Sequence, residues 1–125
     1  AGPSPADLEL ADLSEANLEK ARLQKANLFK ANLLGANLSG AKLDKARLQE
    51  VELWGVNLRG ANLRKAKLQG ADLIHVDFEG ADLQGVKLHD VDLYKANLQD
   101  ADMRGTDLSE VTGLTQKQLA SARQK

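Results

Sequence analysis

The chain has 125 residues, 42% of them apolar but only 3% aromatic, a formal net charge of −1 and no cysteine. That length makes one domain, and so few large side chains exclude an ordinary globular core. The missing cysteines exclude disulfide and thiol chemistry, near-neutrality gives no global field toward a nucleic acid or a membrane, and no apolar run approaches the ~20 residues of a membrane span.

In chain order, residues 1–5 (Ala-Gly-Pro-Ser-Pro) hold two prolines and no regular pattern. They are expected to be a disordered tail, either a trimmed terminus or the mature end left by a cleaved export signal. The first reading places the protein in the cytoplasm; the second allows a thylakoid lumen or periplasm. Five acids and no base follow in residues 6–19, and they would blunt an exposed backbone edge of the first coil.

Residues 6–110 repeat a five-residue phrase twenty-one times, from Ala6-Asp7-Leu8-Glu9-Leu10 to Thr106-Asp107-Leu108-Ser109-Glu110. The third place is Leu nineteen times, with Phe78 and Met103 as the substitutes, and the first place is Ala fifteen times and Val five. A fixed period decides the fold before any local reading. On an α-helix a step of five rotates by roughly 140°, which scatters the leucines and leaves no apolar stripe. In a straight strand an odd step flips them to alternate faces. Within one phrase, however, the small residue and the Leu are two apart and share a face of a short extended segment. The remaining residues then turn the chain; the fifth place is Gly eight times, the residue that supplies positive φ in tight turns. Phrase after phrase, this winds a solenoid.

Phrases such as Ala31-Asn32-Leu33-Leu34-Gly35 and Ala61-Asn62-Leu63-Arg64-Lys65 resemble the pentapeptide-repeat proteins over about 105 of the 125 residues. The resemblance implies an all-β solenoid: a right-handed quadrilateral parallel β-helix, here of about five coils. Leu33, Leu53, Leu58, Phe78 and Met103 would lie among its inward residues. It also implies a bacterial source, with cyanobacteria prominent.

After the repeats, Val111-Thr112-Gly113 is read as a turn and residues 116 to about 123 as a short capping helix. Thr115 and Gln118 have capping-box spacing, and Leu114 and Leu119 occupy the staple positions. Leu119 and Ala122 are expected to face the open end of the tube.

Four phrases per coil stack residues twenty apart. The outward fourth place then aligns Leu34, Trp54, Ile74 and Tyr94 on the second face, with Phe29 at its edge on the first. Exposed apolar ladders mark interfaces and Trp and Tyr are anchor types, so this ladder is the candidate protein-binding surface, a homodimer being the first arrangement. The competing reading is sheet packing alone. The column Asn17, Asn37, Asn57, Asp77, Asn97 suggests an amide ladder.

Charge is banded: residues 20–67 carry eleven bases and three acids, residues 72–110 ten acids and three bases. The basic band has few aromatics for stacking bases and no phosphate-cradling loop, so it is read as solvated and no nucleic-acid partner is expected. The acidic band raises an alternative function, DNA mimicry toward a type II topoisomerase such as gyrase. His75 and His89 fall on different faces or corners, and no nucleophile–base pair or cofactor signature is present. The chain is therefore read as a non-enzymatic interaction module. No cofactor, metal, small-molecule substrate or membrane is expected.

Overall fold

In a computed structural model residues 4–124 are described, and residues 1–3 of the expected tail and Lys125 lie outside that range. Second-place residues pair in parallel with those twenty further on: Asp7 with Asn27, Asn27 with Arg47, Arg47 with Lys67, and likewise on the other three sides. Each coil is thus four phrases with a turn after every third place. The four sides are numbered from the one holding Ala6.

Hydrogen-bond accounting explains the phrase. The first-place N–H closes the preceding turn, as Ala11 N donates to Leu8 O at 3.0 Å. The second-place N–H donates to the previous coil (Asn27 to Ala6 O, 2.9 Å), and the third-place N–H to the next (Leu8 to Asn27 O, 2.7 Å). The fifth-place N–H also reaches the next coil, as from Leu10 to Phe29 O at 2.9 Å. Only the fourth-place N–H has no backbone partner in this scheme. Wherever the second place is Asp or Asn, its Oδ1 accepts that N–H, as in Asn32 to Leu34 (3.0 Å) and Asn62 to Arg64 (3.0 Å). Buried backbone donors must be paired, and short Asx side chains do this two residues ahead.

Of the two central turn residues only the fifth place has positive φ, the type II arrangement. Gly35 sits at +73° and Gly105 at +73°, but Lys25 at +60° and Glu50 at +59° take the same conformation. An L side chain there costs roughly 1–2 kcal/mol. The solenoid enforces it because its coil-to-coil bonds require the turn.

The core is one continuous column of first- and third-place side chains from Leu23 to Met103. Leu33, Leu53 and Leu58 are fully buried, and Phe78 and Met103 nearly so. No buried polar or charged residue occurs among the described residues. At the amino end Leu8, Leu13 and Leu18 are only partly buried and pack against the core.

At the carboxy end the chain departs from the expected turn at 111–113. Strand β1 (Val91–Asp92) pairs in parallel with β2 (Val111–Thr112), so these residues begin a further side, and the turn follows at Gly113. Gly113 has φ +75°, and a Cβ there would come within 2.7 Å of Tyr94 N. Helix α1 spans Gln116–Ser121, two residues short of the expected end. Ala122 is already extended, and Arg123 pairs with Asp102. The helix stands in for the side that would otherwise continue from Asn97. Leu114 and Ala122 pack on the core, whereas Leu119 is half-buried and outside that cluster.

Gln118 fastens the helix twice. Its Oε1 accepts from Thr115 N at 2.7 Å while Thr115 Oγ1 accepts from Gln118 N at 3.1 Å, a complete capping box. Its Nε2 donates to Leu93 O (2.8 Å) and Ala96 O (3.0 Å) of the last coil.

Two stability measurements follow. Leu58→Ala, a truncation in mid-tube, is expected to cost about 2–5 kcal/mol in denaturant unfolding, and a loss below ~1 kcal/mol would contradict its inward packing. Gln118→Glu keeps the box but sets a carboxylate against two carbonyl oxygens; it should cost about 1–3 kcal/mol, with Gln118→Ala no worse.

Candidate functional site

The second face presents the outward ladder. Leu34, Trp54 and Tyr94 are 37%, 51% and 49% exposed, and Ile74 between them is half-buried. Fourth-place side chains on this face are one rung apart, ~4.8 Å, because Leu34, Trp54, Ile74 and Tyr94 follow the same twenty-residue register.

A residue not assigned to the ladder completes it. His75, at the corner after Ile74, has its ring 5.1 Å from Trp54, tilted by 53°, and 6.0 Å from Tyr94 at 87°. His75 takes the corner conformation common to the fifth place, with φ of +62°, and its ring is near both Trp54 and Tyr94. The fifth place reads in sequence as a solvated corner, and no linear pattern marks His75 as different from the lysines that often fill that place elsewhere. Tyr94 is further fixed by Lys95, whose Nζ lies 5.4 Å from the ring centroid. The result is an aromatic strip flanked by aliphatic side chains.

Phe29 belongs to a different setting. It is half-buried on the first face, with Lys30 Nζ 5.4 Å from its ring centroid. It lines a shallow cleft of about 410 Å³ with Gln49 and Gln69, and no aromatic ring of the strip is in contact with it among the described residues.

The amide ladder takes a form other than the one expected. In that column each Oδ1 accepts from its own turn, as in Asn17 to Glu19, Asn37 to Ser39 and Asn57 to Arg59. Among the described residues only Asn97 Nδ2 to Asp77 Oδ1, 3.1 Å, links two rungs of it. The turn claims the oxygen first because the fourth-place N–H has no other acceptor.

Acids of the carboxy-terminal coils are partly neutralised. Arg59 bonds both Asp77 (3.1 Å) and Glu79, Arg64 bonds Asp82 (3.0 Å), and His89 bonds Glu110 (2.6 Å). Arg104 meets Asp102 through Nη2 at 2.6 Å and Nε at 2.9 Å, and its hydrogen bonds hold that carboxyl down to about 2. Among the described residues no three His, Asp or Glu side chains converge as metal ligands, and no helix is long and apolar enough to cross a membrane.

A family profile for pentapeptide repeats matches residues 6–44, 41–80 and 71–110. The chain is a pentapeptide-repeat protein. Solved structures of this family are its neighbours, and such proteins form right-handed quadrilateral β-helices. HetL, a pentapeptide repeat protein involved in heterocyst differentiation regulation from the cyanobacterium Nostoc sp. strain PCC 7120, is 33% identical, with a TM-score of 0.46. The match covers 94% of this chain but 61% of HetL, so the chain spans about three fifths of that protein. A pentapeptide repeat protein of the Arabidopsis thaliana thylakoid lumen is 26% identical over 92% of this chain and 72% of its own, with a TM-score of 0.53. Rfr23 from the cyanobacterium Cyanothece 51142 is 27% identical over 97% of this chain and 86% of its own, with a TM-score of 0.42. No match to a curated protein sequence was found.

Proposed function

We propose that this pentapeptide-repeat protein is a non-enzymatic interaction module, a tube of about five coils capped by α1, whose second face docks a protein partner. The observation that supports the reading is the half-exposed pair Trp54 and Tyr94 with the His75 ring near both. Ordered aromatic rings lose little conformational freedom on binding and are frequent anchors of interfaces. Leu34 and Ile74 extend the apolar patch along the axis. Faces of this kind are self-complementary when two tubes pack side by side, so a second copy is the first partner to test. We place the interaction in the cytoplasm, with the thylakoid lumen or periplasm as the alternative compartments.

DNA mimicry toward a type II topoisomerase would require an unbroken negative surface. Here Asp77, Glu79, Asp82 and Asp102 are bonded to arginines, and Glu110 to His89. The interface reading is therefore preferred.

Trp54→Glu places a charge at the centre of the strip without touching the core. In sedimentation velocity at micromolar concentration the wild type should run as a dimer and Trp54→Glu as a monomer of unchanged melting temperature. Where the wild type is itself monomeric, a source-cell pull-down with both baits decides. A partner retained by wild type and lost by Trp54→Glu supports the face, and identical behaviour of the two baits refutes it.

A further inference from the structure

All but one of the failures of the turn chemistry fall in one region. Six of the twenty-one phrases lack Asp or Asn at the second place: Arg22, Lys42, Arg47, Glu52, Lys67 and Lys87. Five of the six are cations, and all five stand on the fourth and first faces. Those faces meet at one corner, whose fifth-place residues are Lys25, Lys45 and Lys65.

Each of these phrases gives up the side-chain acceptor that closes its turn in all fifteen Asx phrases. Like charges are also set in register: Arg22 pairs with Lys42, Arg47 with Lys67, and Lys67 with Lys87. Directly opposed like charges destabilise a sheet. Among the described residues none of these eight cations is within 4.0 Å of a carboxylate, whereas Arg59, Arg64 and Arg104 all are. A cleft of about 480 Å³ opens beside the corner between Lys45, Asn62, Arg64, Lys65 and Gln84, with one carboxylate, Asp44, in its lining. Departures from a local rule without a structural gain mark function. Three cation columns grouped on one convex corner, each at a cost in turn bonds or charge repulsion, point to a bound polyanion rather than to a merely solvated band.

We propose that this corner binds the phosphate backbone of duplex nucleic acid without reading its sequence. Its second- and fifth-place side chains are charged, amide or glycine, none of them an anchor for a protein or a ring for stacking unpaired bases; the first face's two rings stand at its fourth place, Phe29 half-buried and His89 bonded to Glu110. Lysine columns stepping by ~4.8 Å along a rigid axis suit a ligand whose charge is itself a repeating line, and such contacts position a duplex without specifying it.

The test is fluorescence anisotropy of the full chain with a labelled duplex of arbitrary sequence, about 20 base pairs, from ~25 to ~200 mM NaCl. Saturable binding is expected at the lowest salt, with log affinity falling against log salt at a slope of about −4 to −7, the value for five to eight phosphate contacts. Arg47→Asn with Lys67→Asn restores two Asx turns, so it should raise the melting temperature while weakening binding at least ~10-fold and flattening the slope by about 2. Lys45→Gln with Lys65→Gln leaves the turns alone and should weaken binding similarly. Absence of binding at ~25 mM NaCl, or unchanged affinity in both double variants, would overturn the proposal. So would equal affinity for polyglutamate, or capture by phosphatidylserine vesicles in preference to the duplex, which would assign the corner to an acidic protein or a membrane.

Discussion

The hydrogen bond from a first-place N–H to the third-place carbonyl before it turns the chain by one corner. All else depends on that corner recurring every five residues. It fixes the inward direction of the next Leu, and it places second-place residues opposite their counterparts twenty further on. The same corner demands positive φ at the fifth place, and the chain accepts this even at Lys, Glu and Asp. A strained residue persists where its surroundings over-determine it; here coil-to-coil bonds on both sides of the turn and buried leucines beneath it do so.

Because the core repeats, it carries almost no individual information. Ala, Val and Leu fill the lumen from Leu23 to Met103, and the variation that distinguishes this protein from a generic repeat lies in the outward columns. Those columns sort by face. The second holds the Trp54–His75–Tyr94 strip, and the corner of the fourth and first holds cations that meet no carboxylate among the described residues. Acids of the later coils are tied to Arg59, Arg64 and Arg104. The two surfaces differ in their chemistry, one apolar and aromatic, the other charged, and a rigid tube can present both without conformational change.

Much of this was legible in the residues alone. Leu at every third place defines the inward direction, and the stacking of Leu34, Trp54, Ile74 and Tyr94 at twenty-residue steps points to four sides. The Asx bond was not legible, because Asp and Asn at the second place look like polar filler until the orphan fourth-place N–H is counted. For the same reason the residues alone suggest a cross-rung ladder at Asn17, Asn37 and Asn57. His75 was hidden by its place in the phrase, where solvated corners are the rule. Phe29 stands on the first face, as its place in the register implies, and its neighbours there are Lys30 and Gln49. The helix end was overrun because a propensity pattern does not reveal that Arg123 returns to pair with Asp102.

The most direct test of the five-residue corner compares two deletions by denaturant unfolding and far-ultraviolet circular dichroism. Removing residues 46–65 takes out one whole coil and leaves every column and the α1 contacts in register; removing Gly60 alone takes out one corner. Nearest-neighbour stacking of repeats predicts that the shorter tube keeps its β signal and unfolds in a single transition. It also predicts that loss of Gly60 splits that transition or lowers stability by more than the loss of the whole coil. A Gly60 deletion indistinguishable from wild type, or a twenty-residue deletion that abolishes the β signal, would contradict the corner as the unit of this fold.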